Sequence, residues 1–229
     1  MIQGASPVDA WQQGARHLLG NESCDFNLLI SFPWAGTQDE LPLTEYDPHR
    51  VLGADFDKSK DVANTIFPAK TWRNSTSRAD FYLRYQAAHK RGKRKAWGTY
   101  FLRLVAFGDK RVNQLEKVID ALNSWKNTYA AAMVMHTSSS ETDSLRPLGG
   151  PCLQYVQISC PNGSDIELTA VYRNHDFCNK VLGNYYGLSR LLGFIGEQTC
   201  RNPVRITALS VHAYFDTSKK KMKELAKID

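Results

Sequence analysis

The feature that most constrains the fold is a pair of adjacent strands joined by an Asn-Gly turn. Cys152–Cys160 and Asp165–Tyr172 are both predicted as strands, and Pro161-Asn162-Gly163-Ser164 lies between them. Asn-Gly between two such runs is a strong hairpin signal, because both residues accept the positive φ angles of a tight antiparallel turn. The hairpin argues against a sheet built purely from βαβ units. No glycine-rich phosphate loop follows a strand, which argues against P-loop and dinucleotide-binding folds.

Helices and strands are mixed along the rest of the chain. Ser6-Pro7 begins a predicted helix that ends near Gly20, because serine is a good N-cap and proline suits the first helical position. The other predicted helices are Ser75–Lys95, Arg111–Trp125, Lys180–Cys200 and Ser218–Ile228, and the other predicted strands are Phe26–Phe32, Trp97–Phe107, Ala130–Met135 and Ile206–Phe215. Residues 34–58 lack periodicity and are predicted to form a long surface excursion. We expect a single domain over residues 1–229, of the α/β (α+β) class.

Composition excludes several classes of protein. With 42% hydrophobic and 23% charged residues, the chain has the content of a globular protein and not of a disordered one. The most apolar stretches are too short or too interrupted for a membrane span, which needs about 20 apolar residues. The N-terminus has neither a basic leader nor an apolar run, and the five cysteines show no C-x-x-C spacing. We therefore expect a cytoplasmic protein with reduced thiols. A net charge of +6 favours anionic partners, nucleotides included.

The residue types that carry chemistry are densest in the C-terminal third. Cys152 follows Gly149-Gly150-Pro151 at the start of a predicted strand, so its backbone is held at a loop mouth while its side chain can face a cleft. A free thiol titrates near ~8.5, and a nearby cation such as Arg173 lowers that pKa. No second His, Cys or Asp lies at metal-ligand spacing from His175, so no metal site is predicted.

This series of residues resembles the thymidylate synthase family. Pro151-Cys152-Leu153 and Gln157 match the strand that carries the family's nucleophile, and Arg173-Asn174-His175-Asp176 matches its Arg-Ser-x-Asp pattern. Asn184 lies eight residues beyond the aspartate, as in the family, and His212-Ala213-Tyr214 matches a late His-x-Tyr pattern. Order and spacing hold from Cys152 to Tyr214 with only about one residue inserted in the hairpin, so the combination is more specific than any one motif.

The resemblance implies covalent chemistry at a pyrimidine. Cys152 would add to C6 and make C5 a nucleophile toward the one-carbon unit of 5,10-methylenetetrahydrofolate. Arg173 would bind the 5′-phosphate and keep Cys152 ionised, because its guanidinium donates to phosphate in a bidentate manner. The Asn184 amide offers a donor and an acceptor, which suits O4 and N3–H of uracil. An aspartate at that position would suit cytosine better.

The resemblance also implies a fold, an assembly and the remaining roles. His212 and Tyr214 would bond the ribose hydroxyl, Gln157 would contact the substrate, and Asp176 would face the folate. The implied fold is a large mixed, mainly antiparallel sheet with helices on one side. In the family the other face of the sheet pairs two subunits, so the resemblance implies a homodimer.

The chain departs from the family's pattern around the phosphate and the folate. Leu153 replaces the histidine after the nucleophile, and Thr128-Tyr129-Ala130-Ala131 stands where paired arginines are expected. Asp61–Pro68 occupies the region of the family's Glu-Leu-x-Trp segment without its glutamate. These differences indicate an altered phosphate site and admit a nucleoside or a modified substrate in place of dUMP.

Three functions remain open at this level. The leading hypothesis is folate-dependent transfer of a methyl or hydroxymethyl group to C5 of a pyrimidine nucleotide or nucleoside, with a uracil-type base preferred because of Asn184. The second is a non-methylating nucleotide-binding or regulatory protein that keeps the pyrimidine pocket. The third and weakest is a nucleic-acid-binding module that uses the basic run Lys90–Lys95. No membrane partner is expected.

Overall fold

The computed structural model describes residues 1–34, 36, 59–91, 97–124, 133–143 and 149–228. Most of the predicted surface excursion over residues 34–58 lies outside the described residues, as do Thr128–Ala131 and most of the basic run. The structural statements that follow concern the described residues.

Helices and strands alternate irregularly along the chain. The helices in the described ranges are α1 (Pro7–Gly20), α2 (Ser59–Ile66), α3 (Ala69–Arg73), α4 (Arg78–Arg91), α5 (Tyr100–Val105), α6 (Gln114–Ser124), α7 (Val181–Thr199) and α8 (Lys219–Ala226). The strands are β1 (Ile2–Gln3), β2 (Cys24–Pro33), β3 (Met133–His136), β4 (Leu153–Ser159), β5 (Asp165–Tyr172), β6 (His175–Asp176) and β7 (Asn202–Tyr214). Among these helices, none is long and apolar enough to cross a membrane.

The described strands form one mixed sheet, which confirms the predicted fold class. Their order is β1-β2-β7-β5-β4-β3, and β6 pairs with the end of β7. The pairs β2/β7, β4/β5 and β3/β4 are antiparallel, whereas β1/β2, β5/β7 and β6/β7 are parallel. The predicted hairpin is β4 and β5, and Gly163 in its turn has a φ of +81°.

One face of the sheet is buried and the other is open. Along β5 the residues Ile166, Leu168, Ala170 and Tyr172 are fully buried, while the residues between them are partly exposed. This alternation is the period of two that a strand shows when helices cover only one of its faces. On the open face, Val134 on β3 keeps 37% of its surface exposed.

The predicted strand Trp97–Phe107 is wrong: this segment contains helix α5. The Thr99 hydroxyl accepts a hydrogen bond from the Leu102 N–H at 3.2 Å, which caps the start of the helix. Phe101, Leu104 and Val105 are buried at the i, i+3, i+4 spacing of a helix face. Aromatic and β-branched content favours a strand, but the core that these side chains join decides for the helix.

Helix α2 lies against α7 at two glycines. A Cβ built on Gly183 would lie 2.5 Å from Cβ of Val62 and 2.7 Å from the carbonyl oxygen of Ser59. At Gly187 it would lie 2.8 Å from Cβ of Ile66. These distances leave no room for a methyl group, so glycine permits the close approach of the two helices.

We predict that Gly183→Ala lowers the free energy of unfolding by about 1–3 kcal/mol, because the added methyl group forces α2 away from α7. Gly20→Ala is the matched control, since nothing lies within 4 Å of its added Cβ. That variant should be neutral or more stable by up to about 1 kcal/mol. Urea unfolding measures both variants, and equal stabilities would contradict the close packing of α2 on α7.

A second prediction concerns His175, which is buried on β6 and stacks on Tyr172 with ring centroids 3.9 Å apart. Burial lowers the pKa of His175 from 6.5 to about 3, so the folded protein holds this imidazole neutral. The unfolded chain binds a proton near pH 6.5, and folding stability is therefore lost as pH falls below that value.

Between pH 7.5 and pH 5.0 the wild type should lose about 2 kcal/mol more than His175→Gln, which lacks the titrating group. Urea unfolding of both proteins at the two pH values measures the difference. The other histidines are present in both proteins and cancel. Parallel pH profiles for the two proteins would show that His175 is not neutralised by folding.

Candidate active site

A cavity of about 550 Å³ opens at the edge of the sheet where β5 and β7 end. This volume falls in the range of roughly 300–1,000 Å³ typical of small-molecule sites. Four of the predicted site residues line it, namely Cys152, Asp176, Asn184 and Tyr214. The lining within the described ranges does not include the other three, Gln157, Arg173 and His212.

Cys152 precedes β4, and its backbone is held from two sides. Its N–H donates to the hydroxyl of Tyr100 at 3.2 Å, and its carbonyl oxygen accepts from the N–H of Arg173 at 2.8 Å. The residue itself is only half-buried. The structure therefore fixes the main chain of Cys152 while its side chain reaches the cavity.

Arg173 supports the loop that leads to Cys152. Its Nε donates to the carbonyl oxygen of Pro151 at 3.1 Å. One of its terminal nitrogens lies 3.2 Å from the position that a Cβ on Gly150 would take. The guanidinium thus packs against Gly150-Pro151, one residue before the thiol, at the rim of the cavity.

Asp176 caps the turn that leads into α7. Its carboxylate accepts hydrogen bonds from the N–H groups of Cys178 at 2.9 Å and Asn179 at 3.2 Å, and from the Asn179 side-chain amide at 2.9 Å. Its backbone carbonyl accepts from the N–H of Lys180 at 2.9 Å. Asp176 therefore positions the start of α7, from which Asn184 projects, and also lines the cavity.

Asn184 is buried and belongs to a chain of hydrogen bonds. Its Nδ2 lies 3.1 Å from Nε2 of His175, and Nδ1 of His175 lies 2.8 Å from the hydroxyl oxygen of Ser210 on β7. The three side chains come from α7, β6 and β7, and each residue is at least 96% buried, with 4%, 0% and 1% exposed. His175 is thus a structural residue of the core that also lines the cavity.

His212 and Tyr214 belong to a stack of rings near the end of β7. The His212 ring lies between Phe26, with centroids 5.0 Å apart, and Tyr214, with centroids 5.2 Å apart. Its Nδ1 lies 2.8 Å from Oδ1 of Asn174. Burial, and then the charge of Asp176, raise the pKa of Tyr214, so its hydroxyl stays protonated and can donate into the cavity.

Gln157 lies away from the cavity, on the open face of the sheet. Its neighbours along β4, Val156 and Ile158, are fully buried beneath the helices, so its own side chain points to the opposite side. Its cross-strand partners are Val134 on β3 and Thr169 on β5.

Several residues of the cavity were not singled out from the sequence. Tyr100 was missed because its segment was predicted to be a strand. Its hydroxyl accepts hydrogen bonds from the N–H groups of both Cys152 and Leu153. Burial, and then negative charge at Cys152, raise the pKa of Tyr100 to about 12. Asp61 and Thr65 of α2 also line the cavity. Their i, i+4 spacing in the sequence could have predicted that they share one face of a helix.

Lys180 brings an ammonium group to the lining of the cavity. Burial lowers its pKa from the usual 10.5. Trp97 lines the cavity too, and its ring packs against Tyr100 with centroids 5.1 Å apart. Within the described ranges, no three His, Cys, Asp or Glu side chains are grouped to hold a metal ion. The cavity thus offers a thiol, a carboxamide, phenolic hydroxyls and an ammonium, which suit a polar planar ligand.

Sequence comparison finds archaeal relatives with one shared name. No family model matches the chain. A protein of Methanococcoides burtonii named "Putative thymidylate synthase" is 32% identical over 108 residues, which are 46% of this chain and 47% of the relative. Its namesake from Methanocaldococcus jannaschii is 26% identical over 180 residues, covering 72% of this chain and 81% of the relative.

A third protein of that name, from Methanosarcina barkeri, is 30% identical over 104 residues, covering 45% of this chain and 46% of the relative. The chain therefore spans about half the length of the first and third relatives and most of the second. The resemblance to the thymidylate synthase family that the motifs between Cys152 and Tyr214 indicate is confirmed at this level: the chain is similar to several archaeal proteins of that name, at 26–32% identity.

Proposed function

We propose that this protein transfers a one-carbon unit, methyl or hydroxymethyl, to C5 of a pyrimidine nucleotide or nucleoside. The observation that carries the proposal is the meeting of Cys152, Asn184 and Tyr214 at one cavity, although they come from three separate elements. A nucleophile beside a group able to read the base edge is what covalent chemistry at a pyrimidine requires. The names of the archaeal relatives support the same reaction class.

In the proposed reaction Cys152, as thiolate, forms a bond to C6 of the pyrimidine. The electron pair of the C5–C6 double bond moves toward C5 and O4, and the Asn184 N–H stabilises the charge that develops on O4. 5,10-Methylenetetrahydrofolate, when bound, would supply the one-carbon unit at the oxidation level of formaldehyde, and its bond to the folate nitrogen would break with the nitrogen leaving as an amine; water would complete a hydroxymethyl product, whereas a methyl product would take a hydride from the tetrahydrofolate, which would be oxidised to dihydrofolate. Loss of the proton from C5 then lets the bond between Cys152 and C6 break, which restores the double bond and frees the thiolate.

Part of the cavity lining suits a flat, partly apolar co-substrate such as a reduced folate. Trp97 offers an aromatic surface and Val62 an aliphatic one, while Asp61 and Thr65 provide polar groups on the same helix, α2. Asp61 is a carboxylate at the cavity in place of the family's glutamate. We propose that the folate lies against this part of the lining.

Two cations support binding of an anionic group at this site. Lys180 lines the cavity, and Arg173 packs against Gly150-Pro151 at its rim. Both could pair with a 5′-phosphate. We propose that they serve the phosphate in a protein whose sequence lacks the family's paired arginines at Thr128–Ala131.

The first test is a covalent adduct with 5-fluoro-dUMP in the presence of methylenetetrahydrofolate. Fluorine at C5 cannot leave as a proton does, so Cys152 should remain attached to C6. Intact-protein mass spectrometry should show the added mass in the wild type and none in Cys152→Ser. Cys24→Ser is the matched control: Cys24 is also a half-buried cysteine outside any disulfide, but it lies on β2, and its substitution should leave the adduct unchanged.

Other outcomes separate the alternatives. A thermal shift with dUMP or deoxyuridine but no adduct would favour the non-methylating nucleotide-binding protein, since binding to the native state alone raises stability. No shift and no adduct would reject the pyrimidine site. Steeply salt-dependent binding to duplex DNA would favour the nucleic-acid module.

We propose that residues 1–229 act as one domain and pair as a homodimer through the open face of the sheet. Val171 on β5 and Leu209 on β7 are partners in register on that face and are only partly buried. With Val211, 40% exposed, they form an apolar strip that a second copy would cover. None of the five cysteines forms a disulfide, which suits the reducing cytoplasm that the sequence predicts.

We predict a dimer for the wild type and a shift toward monomer for Val171→Lys, because an ammonium at the centre of the strip would lose its hydration on pairing. Leu83→Lys is the control: Leu83 is 67% exposed on α4, away from the sheet, and its variant should stay dimeric. Sedimentation velocity over a range of protein concentrations measures both. A wild type that is monomeric at every concentration would reject the assembly.

A further inference from the structure

The hydrogen-bonded chain Ser210–His175–Asn184 is rigid. The His175 ring stacks on Tyr172 with an angle of 6° between the ring planes. Tyr185 meets the same ring edge-on at a centroid distance of 6.1 Å. His175 is fully buried, so rotation of its ring would require these aromatic neighbours to move.

The donors and acceptors along the hydrogen-bonded chain Ser210–His175–Asn184 are also fixed. Burial keeps His175 neutral, so one ring nitrogen carries a proton and the other accepts. Because Nδ2 of Asn184 can only donate, Nε2 of His175, 3.1 Å away, is the accepting nitrogen. The proton of the ring therefore sits on Nδ1, which donates to the hydroxyl oxygen of Ser210 at 2.8 Å.

This direction matters because a carboxamide is ambiguous when it is free to turn. In one orientation its oxygen accepts from N3–H of uracil while its N–H donates to O4. After a half-turn its N–H donates to N3 of cytosine while its oxygen accepts from the N4 amino group. An unrestrained asparagine can therefore serve both bases, and only a fixed amide discriminates between them.

We propose that His175 is a positioning residue that fixes the orientation of the Asn184 amide, so that the site accepts a uracil-type base and rejects a cytosine-type base. The inference rests on the proposed function, since it assumes that Asn184 reads a pyrimidine edge. His175 itself does not touch the base in this scheme. It acts through Asn184, and Ser210 keeps the ring of His175 in the tautomer with the proton on Nδ1.

The first experiment removes the partner that sets the tautomer of His175. In Ser210→Ala a proton on Nδ1 would be buried without an acceptor, which is costly, so the tautomer with the proton on Nε2 competes. Nε2–H then donates to Oδ1 of a turned Asn184 amide. The ratio of the dissociation constants of dCMP and dUMP, measured by calorimetry, should fall about tenfold or more from its wild-type value.

Ser189→Ala is the matched control. Ser189 is also a buried serine, on the same helix as Asn184, but its hydroxyl donates to the carbonyl oxygen of Tyr185 and takes no part in the chain. This variant should keep the wild-type ratio. Loss of discrimination in both variants would overturn the proposal, because it would show that any buried serine substitution disturbs the cavity.

The second experiment needs no variant. The nitrogen chemical shifts of the His175 ring in the wild-type protein report directly which nitrogen carries the proton. A proton on Nδ1 is expected, with no titration of this ring between pH 8 and pH 5. A proton on Nε2 would overturn the proposal even if Ser210→Ala fails to fold.

The outcomes distinguish the inference from the function on which it rests. A wild type that binds neither dUMP nor dCMP, and neither of the corresponding deoxynucleosides, would reject the proposed function and the inference together. A wild type that binds dUMP and dCMP equally well would reject the inference alone. So would a Ser210→Ala variant that keeps the full wild-type preference for dUMP.

Discussion

The parallel pairing of β5 with β7 is the constraint on which the site depends. Strands that are adjacent and parallel cannot be joined by a tight turn, so the chain must cross the sheet between them, and α7 is that crossover. The helix therefore starts just beyond the end of β5, beside the end of β7. Because β4 is antiparallel to β5, its beginning lies at the same edge. Cys152, Asn184 and Tyr214 meet there because of the topology, although they are up to 62 residues apart.

Short-range chemistry made part of this architecture predictable. The Asn162-Gly163 turn determines the hairpin β4/β5, and the Ser6 cap with Pro7 determines the start of α1, as the hydrogen bond from the Asp9 N–H to the Ser6 hydroxyl shows. The spacing of the motifs from Cys152 to Tyr214 also led to four residues that line one cavity. In each of these cases the prediction depends on a few neighbouring residues or on a series of motifs that resembles a known family.

The rest depends on contacts between distant segments. The place of helix α2 is set by the absence of side chains on Gly183 and Gly187, more than 110 residues further along the chain. Tyr100 contributes to the site through its side-chain hydroxyl, which accepts a hydrogen bond from the backbone N–H of Cys152, and no local sequence pattern predicts this contact. The same limit explains the error at α5, where packing of Phe101 into the core outweighs strand propensity.

The different roles proposed for Cys152 and Asn184 follow from the chemistry proposed for the cavity. C6 of uracil and C6 of cytosine are both open to attack by a thiolate, so Cys152 cannot tell the two bases apart. Discrimination must then come from a group that reads N3 and the substituent at C4, and such a group must not turn. In the proposed scheme the two needs are met by different residues: Cys152 is half-buried with a fixed backbone, whereas Asn184 is buried and bonded to a ring that cannot rotate freely. A buried polar chain is favourable only when every member has a partner, and here each of the two hydrogen bonds of His175 restrains the next residue. Burial of the His175 imidazole is unfavourable in itself, but in this scheme it fixes the orientation of the Asn184 amide. That fixed amide supplies the base discrimination that chemistry at C6 does not provide.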